Sequence, residues 1–208
     1  SSNDASINVS FSFSEATTDF DINDISLTGG DITPLSGFSG TGDSYSVTFT
    51  PDSDGTKTIS IAGGAFTDEA GNSNDAAGTF TWTYDTLNPT VNSISVSEGA
   101  SGFSSNDASI NVSFSFSEAT TDFDINDISL TGGDISTLSG FSGSGDSYSV
   151  TFTPDSDGTK SISIAGGAFT DEAGNTNDAA GTFTWTYDST GPTITSSTTA
   201  SAIDENIA

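Results

Sequence analysis

Residues 1–85 and 104–188 are one segment written twice: at an offset of 103 only Thr33/Ser136, Pro34/Thr137, Thr41/Ser144, Thr58/Ser161 and Ser73/Thr176 differ. A period near 100 residues is that of a whole small domain and is far longer than a solenoid unit. The chain must therefore fold as successive beads, each closing its own core. An adjacent near-copy adds little to a catalytic centre, whereas it adds length to a spacer or valency to a binding surface.

Within each copy, short segments of strict alternation dominate, and no stretch carries a helical period. Seven runs can be read in the second copy and the segment leading into it. They are Val91–Val96; Ile110, Val112, Phe114 and Phe116; Phe123 through Leu130; Ile135 through Phe141; Tyr148 to Phe152; Ile162 and Ile164; and Phe183, Trp185 and Tyr187. Ser, Thr and Asn fill the alternate positions, so one face packs and the other meets water. Turn residues divide the runs at Gly132-Gly133-Asp134, Gly143-Ser144-Gly145-Asp146 and Pro154-Asp155-Ser156-Asp157-Gly158. The expected fold is all-β: two tandem immunoglobulin-like β-sandwich domains of about seven strands each, arranged end to end. The Cys…Trp…Cys pattern of antibody domains is absent, and Trp82 and Trp185 read as core anchors on the last strand.

The copies are out of phase with the domains. Residues 89–103 supply the first strand of the second domain and have no counterpart before Ser1, while Pro192-Thr193-Ile194 repeats Pro89-Thr90-Val91 before the sequence diverges. The expected division is a first repeat over 1–86 without its first strand, a second over 87–190, and the start of another over 191–208. Two explanations stand open: a fragment boundary, or a spare strand that fills the open slot of another molecule and gives head-to-tail self-association by strand exchange.

Composition narrows the function. The chain holds 29 acids against two bases, for a net charge of −27, with no His, Cys or Met. Nucleic acid needs Lys and Arg to displace phosphate counterions, so it is excluded as a partner, and anionic membrane surfaces are excluded likewise. Without His or Cys there is no triad with a His base and no thiol chemistry; a non-catalytic role is expected. So many carboxylates repel one another unless salt or a cation offsets them.

A sandwich of this strand order gathers three elements at one pole: the loop after the second strand, the loop before the last, and the incoming linker. In the second domain they carry Asp85, Glu118, Asp171, Asn175 and Asn177. Carboxylates and amide oxygens converging from separate loops are what Ca²⁺ requires, six to eight oxygens in adaptable geometry. The first copy repeats Glu15, Asp68, Asn72 and Asn74 without the linker, so that site should be weaker or empty. The alternative is that these Asp and Asn residues only shape turns through bonds to nearby backbone. Asp19–Asp24 places oxygens as an EF-hand does at loop positions 1, 3 and 5, but has Asp at 6, where Gly is required, and Gly at 12, where Glu is required. Lys57 and Lys160 share the phase of inward-facing Ile59 and Ile162, so each stem should lie along the core edge.

Phe13-Ser14-Glu15-Ala16, Asp24-Ile25-Ser26-Leu27-Thr28-Gly29-Gly30 and Phe66-Thr67-Asp68-Glu69-Ala70-Gly71-Asn72 recur in order in both copies. They resemble the bacterial Ig-like repeats of giant surface adhesins, notably the RTX adhesins of Gram-negative and often marine bacteria. Ala202–Ala208 looks like the opening of a cadherin-like repeat. The resemblance implies tandem extracellular domains at the bacterial cell surface that project a distal binding module and are rigidified by calcium where they join. The partners it implies are neighbouring repeats of the same chain. An adhesive repeat that contacts glycan or ice through its exposed Ser/Thr faces is the other open reading.

Overall fold

A computed structural model describes residues 1–29, 35–133 and 137–196. Both repeats are β-sandwiches, and the second is the fuller. Its first sheet joins β6 (Val91–Val96), β8 (Ile110–Thr120) and β10 (Leu138–Phe152), in the order β10-β8-β6. Its second sheet joins β7 (Phe103–Ser105), β9 (Ile128–Thr131), β11 (Gly158–Ile164) and β12 (Phe183–Tyr187), in the order β7-β12-β11-β9. In the first repeat β1 (Ile7–Thr17) pairs with β3 (Leu35–Phe49), and β2 (Ile25–Thr28), β4 (Gly55–Ile61) and β5 (Phe80–Tyr84) form the facing sheet β2-β4-β5.

The period-2 pattern determines the core. Ile110, Val112, Phe114 and Phe116 along β8 lie beside Val150 and Phe152 of the neighbouring β10 and share one core with Ile162, Ile164, Phe169 and Trp185, all at most 2 % exposed. Phe123 is a hub, edge-on to Phe114, Phe116, Tyr148 and Phe169 at centroid separations of 4.9–5.7 Å. Edge-to-face pairs of this kind add to simple burial.

The sequence and the structure part at three places. Ile125–Asp127 is a single 3-10 turn before β9, with Asp124 and Asp127 forming a reciprocal capping box; the Asp-rich run that resembles an EF-hand start is spent on this turn. Second, β10 is continuous in extent but doubles back: Thr153 donates to the Thr137 carbonyl at 2.8 Å, and Phe141 stacks on Tyr148 at 5.7 Å. Seven straight strand residues would span more than about 20 Å. The fourth and fifth expected runs are thus the two arms of one element folded at Gly143–Gly145, where both glycines have positive φ of 136° and 67°. Ile135 and Asp134 lie outside the described residues, as do Gly30 and the cadherin-like segment 202–208. Third, Phe103–Ser105 pairs in parallel with β12, Trp185 opposite Phe103, a three-residue strand too short for alternation to signal.

Both lysines are buried, Lys57 at 2 % and Lys160 at 1 % exposure. Lys160 Nζ donates to the Gly132 carbonyl at 2.6 Å and to Asp155 at 2.9 Å; Lys57 does the same with Gly29 and Asp52. Gly132 is required for this: at φ +74° a Cβ there would lie 2.5 Å from the Thr159 carbonyl and 3.2 Å from the Lys160 stem.

Candidate functional site

The two repeats meet through a linker fixed from both sides. On the side of repeat 1, the Thr86 amide and hydroxyl each donate to Asp54 Oδ1 at 3.0 Å. On the side of repeat 2, the Asp178 amide donates to the Pro89 carbonyl at 3.0 Å, the Ser117 amide to the Thr90 carbonyl at 2.9 Å, and Asn88 Nδ2 to Asp178 at 3.0 Å. Pro89 is buried, although Leu87 beside it is 65 % exposed. The N-terminal segment closes the other flank. Ser2 bridges Tyr84 in parallel, and the Asn3 amide donates to the Ala173 carbonyl at 3.1 Å.

At this junction the carboxylates of Asp85, Glu118 and Asp171 each bring an oxygen within 4.8 Å of the others. Each comes from a different source: the linker, the end of β8, and the loop between β11 and β12. The oxygens around one Ca²⁺ at 2.3–2.6 Å are separated by up to about 5 Å, so the spacing suits a single cation held by three carboxylates. Burial, and then the charges of Asp85 and Asp171, push the Glu118 carboxyl above its ordinary value. Carboxylates gathered in this way are held together against their own repulsion.

The asparagines of the loop play a different part. Asn175 Nδ2 donates to the Asp85 carbonyl and to Asp171 Oδ2, both at 2.9 Å, and its Oδ1 accepts from Asn3 Nδ2 at 3.0 Å. It is the brace between repeats, with its amide oxygen already engaged. Asn177 turns inward: its Oδ1 accepts from the amides of Ala168 and Phe169, and its Nδ2 donates to the carbonyls of Ala165 and Asp178, at 2.7–2.9 Å. Asn177 therefore fastens its loop and stands apart from the carboxylate cluster. Asn74 makes the same four bonds in repeat 1.

The repeats serve as controls for each other. Asp171 and Asn175 are 4 % and 7 % exposed, whereas Asp68 is half-buried and Asn72 exposed, although the loops differ only by Ser73/Thr176. Asn72 still bonds Asp68 at 2.7 Å, and Glu15 stands exposed nearby. Among the described residues, the junction is the sole place where three potential metal-binding side chains converge. Three of the nine residues expected from sequence are thus brought together, Asn175 buttresses them, and Asn177, Glu15, Asp68, Asn72 and Asn74 are not part of the cluster. Asn3 was not foreseen; the parallel bridge that brings it across the junction leaves no periodic trace in the sequence.

No curated protein sequence matches the chain. Among solved structures, InvD of Yersinia pseudotuberculosis aligns over 95 % of this chain and 57 % of its own at 13 % identity, with a TM-score of 0.42. Domains 4 and 5 of the S-layer protein SbsC align over 79 % and 77 % at 14 % identity, with a TM-score of 0.29. This chain spans little more than half of the InvD structure. The sequence profile of the bacterial Ig-like domain matches residues 1–84 and again 85–187, and with the two sandwiches described above this makes the chain a member of the bacterial Ig-like domain family in two adjacent copies.

Proposed function

We propose that the chain is a non-catalytic extender segment of a bacterial cell-surface adhesin of the RTX kind, placed outside the cell, and that Ca²⁺ stiffens the junction between its repeats. The observation that carries this reading is the linker, tied to Asp54 on one side and to Asp178 and Ser117 on the other. A linker bonded along its length transmits orientation from one bead to the next, as a stalk requires and a flexible tether does not. Strands of six to eleven residues add about 20–35 Å per bead. Asp85, Glu118 and Asp171 would supply three carboxylate oxygens to the cation, with water and backbone completing its shell. Neutralising the three charges would remove the repulsion between linker and loops.

Small-angle scattering with Ca²⁺ and then with a chelator tests the proposal. Ca²⁺ should narrow the distribution of inter-repeat distances and leave each bead unchanged. Identical curves in both conditions at low ionic strength would remove calcium from the reading, and a flexible-dimer profile in both would remove the stalk.

A further inference from the structure

Asp-Gly occurs twice in the chain, at Asp54-Gly55 and Asp157-Gly158, and Asn-Gly does not occur. Each pair leads into the strand that bears the buried lysine, β4 or β11. Gly55 and Gly158 have φ of 117° and 123°, a region that favours glycine. The space beside each is open, with no atom within 4 Å of where a Cβ would sit. Glycine is thus fixed by the backbone, and the aspartate before it is fixed by what it holds.

Asp54 is the anchor of the linker on the side of repeat 1. The Thr86 amide and hydroxyl both donate to its Oδ1 at 3.0 Å, and the hydroxyl reaches Oδ2 at 3.2 Å. Asp157 is held more closely, by the Ser189 amide at 2.9 Å and by the Ser189 and Thr190 hydroxyls at 2.7 Å. The rest of the turn is tied separately, with Lys57 Nζ donating to Asp52 at 3.1 Å and to Ser53 at 3.4 Å. An aspartate followed by glycine is the one most open to attack by the next backbone nitrogen, because glycine places no side chain in the way.

We infer that Asp54-Gly55 is a self-modification site, converting to isoaspartate, and that the linker held by Asp54 sets the rate. The Gly55 nitrogen bonds to Asp54 Cγ, and one carboxyl oxygen leaves as water with the amide proton and a proton from solvent. Water then opens the resulting succinimide. Opening at Cγ restores aspartate; opening at the main-chain carbonyl leaves the peptide running through Cγ, with no net change in mass. The carboxylate then sits directly on Cα, one methylene short of Thr86. The backbone gains that methylene just ahead of Gly55, which pairs with Tyr84 at the start of β4. Conversion therefore releases the linker from repeat 1. The same bonds restrain the reaction, since Cγ must turn from Thr86 to meet the Gly55 nitrogen. At Asp157 the Ser189 amide, then its hydroxyl and that of Thr190, hold the carboxyl below its ordinary value. A carboxyl kept ionised is the poorer electrophile, so Asp54 is the faster of the two sites. The inference shares the linker anchor with the extender reading and needs neither the cation nor the adhesin.

The test is isoaspartate mapping, by enzymatic methylation and peptide mass spectrometry, on the full chain held for weeks at neutral pH and physiological temperature. Isoaspartate should accumulate at Asp54 ahead of Asp157, and at both ahead of every other aspartate. Thr86→Val should raise the rate at Asp54 about tenfold, the factor to which one lost charge-assisted hydrogen bond corresponds, and leave Asp157 unchanged. Thr86→Ser keeps both donors and should leave both rates as they are. A peptide of residues 50–59, which lacks Thr86, should convert faster than the chain and gives the unrestrained rate without any variant. In the aged chain the distribution of inter-repeat distances should widen while the urea midpoint of repeat 2 stays in place. Conversion at Asp54 no faster than at Asp43 or Asp52, a chain that converts at the peptide's rate, or an aged chain with an unchanged scattering curve would overturn the inference. The chemistry is read by mass and the stalk by scattering of the fresh chain, so either can fail alone.

Discussion

Two repeats of almost one sequence should unfold at different denaturant concentrations, and the structure gives the size of the gap. Ile110, Val112, Phe114, Phe116 and Trp185 are at most 2 % exposed, and their counterparts Ile7, Val9, Phe11, Phe13 and Trp82 are half-buried. Phe80 and Phe183 differ most, at 54 % against 7 %. A Phe side chain offers about 200 Å², so the Phe80 difference leaves roughly 90 Å² in water. The five half-buried residues leave roughly 30 Å² each, and at about 25 cal/mol per Å² the sum is close to 6 kcal/mol. Compactness of the denatured chain lowers this to about 4 kcal/mol. A domain of this size has only about 5–15 kcal/mol in total, so repeat 1 should be marginal alone.

Each repeat holds one tryptophan, which makes the two transitions separable by fluorescence. Among the described residues neither the buried indole N–H of Trp82 nor that of Trp185 has a hydrogen-bond partner, so Trp→Phe replacement at either removes no hydrogen bond made to them. In urea, Trp185→Phe leaves a reporter in repeat 1 and Trp82→Phe leaves one in repeat 2. With an m-value of about 1–2 kcal/mol per molar, the midpoints should lie at least about 2 M apart, repeat 1 first. Coincident midpoints would refute the premise that β6 and the segment following it carry this share of the stability.

Four further outcomes follow from the same geometry. Phe114→Ala should cost about 3–5 kcal/mol in repeat 2, and Phe11→Ala about half as much in repeat 1, read as shifts of the two urea midpoints. Lys160→Met keeps the buried stem but leaves the Gly132 carbonyl without its donor, at a cost of about 1–3 kcal/mol by thermal melting. Glu118→Gln should change sign with conditions: without divalent cations it relieves the repulsion from Asp85 and Asp171 and raises the melting temperature, and with Ca²⁺ it blunts the rise seen in the parent chain. Acid should act through Asp155 and Asp52, whose carboxyls the Lys160 and Lys57 ammonium groups, assisted by Ser156 and Ser53, hold below the usual value of 3.8. A depressed folded-state pKa contributes stability above the unfolded value and loses it as pH falls through the folded one, so this part of the stability should disappear below about pH 4. Lys160→Met should flatten that acid limb for repeat 2.

The strands were legible because period-2 alternation is the same physical statement as a sheet with one dry face: Ile110, Val112, Phe114 and Phe116 could hardly be read otherwise, and all four are buried. What escaped was decided by pairing rather than by period. Phe103–Ser105 is three residues long and parallel to β12, so neither alternation nor a hairpin turn announces it. Leu138–Phe152 reads as two runs and is one element, because its turn glycines keep the chain in the sheet while it doubles back. At the junction, the convergence of Asp85, Glu118 and Asp171 follows from strand order, which the sequence implies. The separation of roles between Asn175 and Asn177 does not, because two residues apart in a loop they point one to the next repeat and one into their own.

The comparison of the two copies bears on what a residue's identity determines. Asn175 and Asn72 sit in loops that differ by one hydroxyl-bearing residue, and both bond the aspartate four residues earlier. One is buried and bridges two domains, and the other is exposed on a surface. The local fold of the loop is thus encoded within each copy, while its function is conferred by the neighbour that docks on it. A repeat built this way carries half of a junction at each end, formed before any partner arrives. Adding a repeat to such a chain then needs no new surface, only a linker whose proline and first apolar residue match the seat seen beside β8.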